Sequence, residues 1–439
     1  MALHLIPAPR APFEEINPPL SPDQALAEAA RCLYCYDAPC IRACPTEIDI
    51  PTFIKKISTG NLVGSARTIF EANILGGSCA RVCPVEVLCE GACVEKTLQK
   101  RPVPIGRLQR FATDWVAERK IDVLTAGAPT GRSVGVIGGG PAGLGAAAEL
   151  RKLGHAVTIY DDRPLGGGLN TFAMAEYKQT AALAASEAEA VVRLGAQLKL
   201  GVRVGRDLQI DALLAAHELL FVGVGLGGTG KLGIPGDRAA NVHEALAWIE
   251  ALKTDPDGAE RLHGKRVIVV GGGNTAIDAV TQARRLGAHA TLLYRRAEAN
   301  MSAYRYEIDL ARGMGCALLF QRAAVRIDER GLWATASGSA PGSEELIPGD
   351  LIIGAVGQQK RTSFLGTLPG VELDEKGRVK VEKGTYRTHN PRIYAGGDCV
   401  NGGKEAVNAV AEGKAAARAM HAQLGTTASA AREQQEIRS

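Results

Sequence analysis

Two short glycine-rich runs constrain what this chain can fold into more than any other feature. Val134-Gly-Val-Ile-Gly138-Gly-Gly140-Pro141-Ala142-Gly143 and Val270-Gly271-Gly272-Gly273-Asn274-Thr275-Ala276 each follow an apolar, strand-like segment and open a helix-like one. A glycine turn between strand and helix presents backbone N–H groups and a helix N-terminus to a diphosphate. Gly138 allows the tight turn, Gly140 lets the backbone approach the phosphates, and Gly143 lets the helix close on the sheet. Asp161 ends the next strand, 23 residues after Gly138, where it can accept hydrogen bonds from ribose hydroxyls. In the second run Ala276 takes the third glycine's place, and the following strand ends in Tyr294-Arg295-Arg296. Two guanidiniums attract a 2′-phosphate that a carboxylate would repel, which favours NADPH over NADH unless the pair is merely solvated surface.

The first glycines of the two runs lie 133 residues apart (138 to 271), so the strand–helix–strand theme is duplicated. Strands are expected at 133–137, 156–160, 266–270, 290–293, 351–355 and 392–395, and helices at 141–153, 275–286 and 406–423. Ala395-Gly-Gly397-Asp398 sits at a strand end before the last helix, where Asp398 suits the ribityl or phosphate region of a flavin. With FAD on the first run and a nicotinamide nucleotide on the second, hydride transfer follows.

The N-terminal quarter is of another kind. Eight of the ten cysteines lie between Cys32 and Cys93, as Cys32-x2-Cys35-x4-Cys40-x3-Cys44-Pro45 and Cys79-x3-Cys83-Pro84-x4-Cys89-x3-Cys93. Thiolates this close can wrap one cluster, and a proline after the last cysteine of a group is a ferredoxin habit in which ligation crosses between clusters. Zinc ribbons usually pair two C-x2-C knuckles and only one is present here; disulfides suit secreted chains, and no export signal is seen. Two iron–sulfur clusters are the expectation. Residues 50–73 read as helical, as do 108–116. Residues 126–131 read as a linker and 425–439 as a disordered tail.

A formal net charge of +4 over 439 residues does not argue for nucleic acid. No apolar run approaches the roughly 18–20 residues of a spanning helix, so a soluble cytoplasmic protein is expected. A thioredoxin-type disulfide reductase would need a redox C-x2-C beside its flavin, and the one C-x2-C, Cys32–Cys35, lies inside the cluster constellation. Intact glycines at both fingerprints argue against a degenerate scaffold.

In this order, the cysteine region, the two fingerprints and the GGD resemble one flavoprotein family. It includes the small subunit of bacterial glutamate synthase, the N-terminal half of dihydropyrimidine dehydrogenase and ferredoxin–NADP transhydrogenase subunits. The resemblance covers roughly residues 20–425 and rests also on Ile105-Gly-Arg-Leu-Gln109-Arg-Phe111 and Gly167-Gly168-Leu169-Asn170-Thr171. Ala80-Arg-Val-Cys83-Pro84, Pro104–Phe111 and Gly168–Thr171 look most like the NAD(P)H-binding subunit of bacterial dihydropyrimidine dehydrogenase. The resemblance implies an α/β fold in which an N-terminal α-helical iron–sulfur domain (1–125) precedes two Rossmann-like domains. An FAD domain (126–240 and 350–425) is split by an inserted NAD(P) domain (241–349), and 426–439 is a tail.

By the same resemblance, one 4Fe-4S cluster takes Cys32, Cys35, Cys40 and the amide oxygen of Gln109, and the other takes Cys44, Cys83, Cys89 and Cys93. Cys79 is then left unligated, or replaces Gln109. FAD gains Gly167, Gly168, Leu169, Lys178, Val204, Glu405 and Ala406; NADP(H) or NAD(H) gains Gly272, Gly273, Asn274, Thr275, Arg295, Arg296, Ala355 and Gly357. Ser302 stands where the mammalian enzyme has a further arginine, which weakens the NADPH expectation. No catalytic acid or base is nominated. The implied role is to take hydride from NAD(P)H onto FAD and relay electrons to an FMN and iron–sulfur catalytic partner in a hetero-oligomer. The implied reaction is reduction of uracil or thymine, or, with a glutamate synthase large subunit, glutamate formation.

Overall fold

The computed structural model describes the backbone of residues 15–254, 262–338 and 342–436, with side chains as far as 425. A run of helices comes first: α1 (Pro22–Ala29), α2 (Pro39–Ala43), α3 (Ile50–Ser58), α4 (Leu62–Ala72), α5 (Gly76–Val82), α6 (Val94–Leu98) and α7 (Ile105–Glu118). Next are β1 (Ser133–Ile137), α8 (Pro141–Lys152), β2 (Ala156–Tyr160), α9 (Leu169–Phe172), α10 (Ala181–Arg193), β3 (Gln197–Lys199), α11 (Ile210–Ala216) and β4 (Leu219–Val222). Then follow β5 (Val242–Glu244), α12 (Ala245–Thr254), β6 (Arg266–Val270), α13 (Asn274–Arg285), β7 (His289–Tyr294), α14 (Arg305–Gly313) and β8 (Ala317–Phe320). After them come β9 (Arg322–Asp328), β10 (Gly331–Ala336), β11 (Glu345–Pro348) and β12 (Leu351–Gly354). The chain closes with α15 (Thr362–Leu365), β13 (Ile393–Ala395), α16 (Asp398–Asn401) and α17 (Ala406–Glu436).

The chain divides into two compact units. The larger holds Asn17–Thr171, Ala182–Leu226 and the chain from Lys360 on. Its helical part is built on amphipathic helices with local stops. Ser21 and Gln24 form a capping box at the start of α1, with Pro22 in the first turn. The Asp49 side chain accepts the Thr52 N–H, and α3 turns Phe53, Ile54 and Ile57 inward. The single helix expected over 50–73 is two, because the chain breaks at Gly60 (φ +75°) and Asn61 caps α4. Ile48, Phe53, Ile57, Ile69, Leu108 and Ala112 share one core.

The larger unit also holds a five-stranded parallel sheet in the order β13-β4-β1-β2-β3. Strands β1 and β4 are buried on both faces, as a parallel sheet between helices requires. Helices α8 and α17 cross closely over it, because Gly145 and Gly413 leave no side chain between them. A Cβ on Gly413 would meet the Ala142 carbonyl oxygen at 2.1 Å, and one on Gly145 would meet that of Val410 at 2.9 Å. α17 runs on to Glu436, beyond the end expected near Gln423; residues 437–439 of the expected tail lie outside the described residues.

The smaller unit gathers Phe172–Ala181 and Gly227–Gln359, with Glu15 and Ile16. It contains a second five-stranded parallel sheet, β5-β12-β6-β7-β8, and a three-stranded antiparallel sheet, β11-β10-β9. The units change over at 226/227 and 359/360, rather than at the motif-based seams 240/241 and 349/350. The reason is pairing. Segments 227–230 and 357–359 bond to each other, Gly227 N–H to Gln359 O at 2.7 Å and Gly230 N–H to Gly357 O at 2.7 Å. β12, expected in the first sheet, lies between β5 and β6 in the second.

Candidate functional site

The cysteines line two cavities of the larger unit. Cys32, Cys35, Cys40 and Cys93 surround the first, with Ile50, Ile54, Val103 and Ile105 as its apolar wall. Cys44, Cys79, Cys83, Cys89 and Gln109 surround the second, with Asn73 and Val407. This differs from the expected partition: Cys93 lines the first cavity and Gln109 the second. The reason is helical geometry. Cys93 caps α6, whereas Gln109 lies on α7, which packs along α5. The Gln109 Nε2 donates to the Gly76 carbonyl at 2.7 Å, which leaves its oxygen as the atom available to the cavity. Cys79, on α5, packs into the core of the first parallel sheet as well as lining the second cavity.

Burial, then repulsion from Cys32 and Cys93, pushes the Cys40 thiol up to about 12. A hydrogen bond with Cys79 and burial raise Cys83, and burial raises Cys89. Thiols in such a setting ionise only against strong positive charge, which iron supplies. Four thiols about one void, and three with an amide oxygen and a spare thiol about the other, fit iron–sulfur clusters.

In the same unit the first fingerprint, the 166–168 loop and the GGD converge. Gly138 has φ +104°, and a Cβ there would meet the Gly223 carbonyl oxygen at 2.4 Å. A Cβ on Gly143 would meet the Gly138 carbonyl oxygen at 1.8 Å. A Cβ on Gly140 would meet nothing nearer than the Gly168 Cα at 3.7 Å, so that glycine faces open space of the kind a phosphate fills. Gly140 caps α8, and Pro141 and Ala142 form its first turn. Gly167 (φ +109°) donates its N–H to the Gly139 carbonyl at 2.7 Å, and Gly168 (φ +57°) and Leu169 continue this loop.

The Asp161 carboxylate accepts the Gly139 N–H at 2.6 Å and the Arg163 N–H at 2.8 Å, so it pins the loop. Burial raises its pKa. Gly397 (φ +77°) donates its N–H to Glu412 at 2.7 Å, and a Cβ on it would meet that of Ala142 at 2.8 Å. Asp398 accepts the Lys404 N–H at 3.2 Å, and burial raises its pKa. Glu405 and Ala406 start α17, the Glu405 carbonyl accepting the Asn408 N–H. Val204 is a core residue with Tyr160 and Leu365.

The smaller unit carries the second fingerprint. A Cβ on Gly271 would meet the Ala355 carbonyl oxygen at 2.3 Å, and one on Gly272 would enter the Tyr294 ring at 2.2 Å. Gly273 caps α13, whose first residues are Asn274, Thr275 and Ala276. Asn274 accepts the Tyr304 N–H at 3.0 Å. Gly357 has φ +102°. Arg295 and Arg296 are exposed at the end of β7, and the Arg296 guanidinium lies 5.4 Å from the Tyr294 ring centre. Neither has a carboxylate partner among the described residues, whereas Arg305 is tied to Glu298 at 2.8 Å and Asp309 at 3.1 Å. Lys178, expected beside FAD, belongs to this smaller unit, where its side chain, 9% exposed, bonds Asp278 and Glu307, each at 2.6 Å.

Three residues escaped the sequence reading. Glu187 of α10 accepts the N–H groups of Gly77 (2.8 Å) and Ser78 (2.9 Å) and the Ser78 hydroxyl, tying the sheet's helices to α5. Lys414 of α17 donates to the carbonyls of Ala72 at 2.6 Å and Thr46 at 3.3 Å. Asn73 lies in the wall of the second cavity. None belongs to a local motif, because each acts on a segment remote in the chain or on a void.

Two parallel dinucleotide-type sheets that follow a cysteine-lined helical region in the chain define a pyridine-nucleotide flavin and iron–sulfur oxidoreductase. Residues 132–413 match the pyridine nucleotide-disulphide oxidoreductase family, and 9–121 match dihydropyrimidine dehydrogenase domain II, 4Fe-4S cluster. The chain is 36% identical over 440 residues to the glutamate synthase (NADPH) small chain of Halomonas elongata, covering 92% of each. It is 32% identical over 410 residues to the NAD-dependent dihydropyrimidine dehydrogenase subunit PreT of Escherichia coli O157:H7, covering 93% of this chain and 96% of that one. Thioredoxin reductase of T. acidophilum shares the fold, with a TM-score of 0.56 at 22% identity over 66% of this chain and 99% of that one. The chain therefore belongs to the pyridine nucleotide-disulphide oxidoreductase family, in the iron–sulfur branch that includes glutamate synthase small chains and PreT. Among the described residues no helix is long and apolar enough to cross a membrane.

Proposed function

We propose that this chain is the electron-input subunit of a larger enzyme: it accepts hydride from NADPH and delivers single electrons to an FMN-containing catalytic partner that reduces uracil or thymine. The nicotinamide and FAD supply two-electron hydride chemistry, and the clusters supply one-electron steps. The observation that carries the reading is the shared construction of the larger unit. α17 begins at the flavin-type cradle, and its Val407 also lines the second cysteine cavity. The backbone of α8 and the glycines around it would hold the FAD diphosphate, with Gly397 and Asp398 beside them. Cys32, Cys35, Cys40 and Cys93 would hold one cluster; Cys44, Cys83, Cys89 and Gln109 would hold the other, with Cys79 packed behind. Arg295 and Arg296, exposed and without a carboxylate partner among the described residues, would hold the 2′-phosphate.

The pyrimidine reading draws on the match of residues 9–121 and on the relatives named PreT. A second reading, the glutamate synthase small subunit, draws on one observation. The exposed arginine pair suits NADPH, and the relatives named for NADPH are glutamate synthase small chains, whereas PreT is named NAD-dependent. Isolation of the native complex, followed by NADPH-dependent assay with uracil and with glutamine plus 2-oxoglutarate, separates them. Turnover of uracil alone supports the pyrimidine partner, and turnover of the glutamine mixture alone refutes it.

A further inference from the structure

The second cavity has a residue in its wall, Asn73, whose amide N–H has no acceptor among the described residues. Asn73 is fully buried. Its Oδ1 accepts the Leu75 N–H at 3.0 Å, but its Nδ2 is buried with no hydrogen-bond partner. A buried amide N–H without an acceptor is rare and costly in a native protein. The residue lines the cavity formed by Cys44, Cys79, Cys83, Cys89 and Gln109, and sulfur is the acceptor such a cavity offers. One residue earlier, the Ala72 carbonyl receives the Lys414 ammonium at 2.6 Å. The same ammonium reaches the carbonyl of Thr46, whose hydroxyl lies 3.3 Å from the Cys44 sulfur. A cation and an N–H donor thus stand behind one wall. The first cavity has no counterpart: its side-chain lining is apolar apart from its cysteines and Glu95.

We propose that Asn73 donates an N–H···S hydrogen bond to the cluster held in the second cavity, and that Asn73 and Lys414 together raise that cluster's reduction potential. Both are positioning and tuning residues, not ligands. Hydrogen bonds to sulfur and local charge are the levers by which a protein sets the potential of an iron–sulfur cluster. Each favours the reduced, more negative cluster. The inference rests on the reading that the second cavity holds a four-iron cluster.

The test is an EPR-monitored redox titration of the anaerobically reconstituted full chain, beside iron and sulfide analysis. Asn73→Leu, alike in branching but without the donor, should shift the reduced-to-oxidised ratio of the second cluster at fixed potential about tenfold toward oxidised. That corresponds to a potential lower by about 59 mV for one electron. Lys414→Met should shift it in the same direction, and Lys414→Arg, which keeps the charge, should stay within about twofold of the parent. The first cluster should stay within about twofold throughout. Asn73→Ser, which keeps an acceptor for Leu75, supplies the reading where Asn73→Leu loses iron. An unchanged second-cluster ratio in iron-replete Asn73→Leu or Asn73→Ser overturns the proposal, as does iron loss in both. An equal fall in Lys414→Arg and Lys414→Met overturns the role of charge. A parent chain that shows only one cluster refutes the underlying reading instead, so the two failures are distinct.

Discussion

Glu187 offers the sharpest test of how the helical domain is fastened to the first sheet. Its carboxylate is the acceptor for two backbone N–H groups in the first turn of α5 and for the Ser78 hydroxyl, all buried. α5 carries Cys79 and leads to Cys83, and its Gly76 carbonyl receives Gln109. Glu187→Ala strands those donors at about 1–3 kcal/mol for each unsatisfied group. Glu187→Gln keeps the oxygen that accepts both N–H groups, so it should cost no more than about 1 kcal/mol. A difference of about 2–3 kcal/mol corresponds to roughly 30–150-fold in an opening equilibrium. Iron release from the second cavity to a chelator, followed by cluster absorbance, should therefore be faster by that factor in Glu187→Ala than in Glu187→Gln.

The pH dependence gives a second arm. Burial pushes the Glu187 carboxyl from its ordinary 4.5 up to about 7. Between those values the folded chain holds a proton that the unfolded chain has released, so stability falls as pH rises through the window. The ceiling on that loss is about 3 kcal/mol. Glu187→Gln, which cannot titrate, should lack this slope. Equal chelation rates for the two variants, or the same pH slope in parent and Glu187→Gln, would show that Glu187 does not fasten α5.

Three other expectations follow from the geometry. Replacing Arg295 and Arg296 together by Ala should raise KM for NADPH about 10–100-fold and leave KM for NADH within about twofold, since only the 2′-phosphate is affected; parallel changes refute the role. Cys93→Ser should disturb the EPR signal of the same cluster as Cys40→Ser, and Gln109→Ala that of the same cluster as Cys44→Ser; the reverse pairing restores the original partition. Gly413→Ala places a Cβ about 2.1 Å from the Ala142 carbonyl oxygen, so the α8–α17 crossing must open beside the flavin-type cradle. A stability loss of about 1–3 kcal/mol with reduced FAD retention is expected, and full retention with unchanged melting contradicts it.

What the sequence disclosed, it disclosed through short-range chemistry. The strand–glycine–helix units at 138 and 271 could be placed because turn, phosphate cradle and helix start lie within ten residues of one another. Clustered cysteines announced metal for the same reason. The partition of ligands was not legible, since whether Cys93 or Gln109 faces a given cavity depends on how α6 and α7 pack. The motif-based bounds put β12 with the FAD domain, whereas it pairs in the second sheet, because a four-residue apolar run, Leu351–Gly354, carries no sign of its partner strand. The excursion of Phe172–Ala181 into the smaller unit depends on buried bonds from Lys178 and Tyr177 to Asp278, about a hundred residues away. Gly60 was the one local sign of the α3–α4 break, and the apolar periodicity running past it concealed it.

The central claim is that one polypeptide receives electrons in pairs and releases them singly. Anaerobic titration of the reconstituted chain with NADPH, read at once by flavin absorbance and by low-temperature EPR, tests it directly. The account predicts flavin bleaching together with growth of iron–sulfur signals, in a preparation whose iron matches two four-iron clusters per FAD. Bleaching of flavin with no cluster signal in an iron-replete chain, or a chain that takes up iron but no flavin, contradicts it.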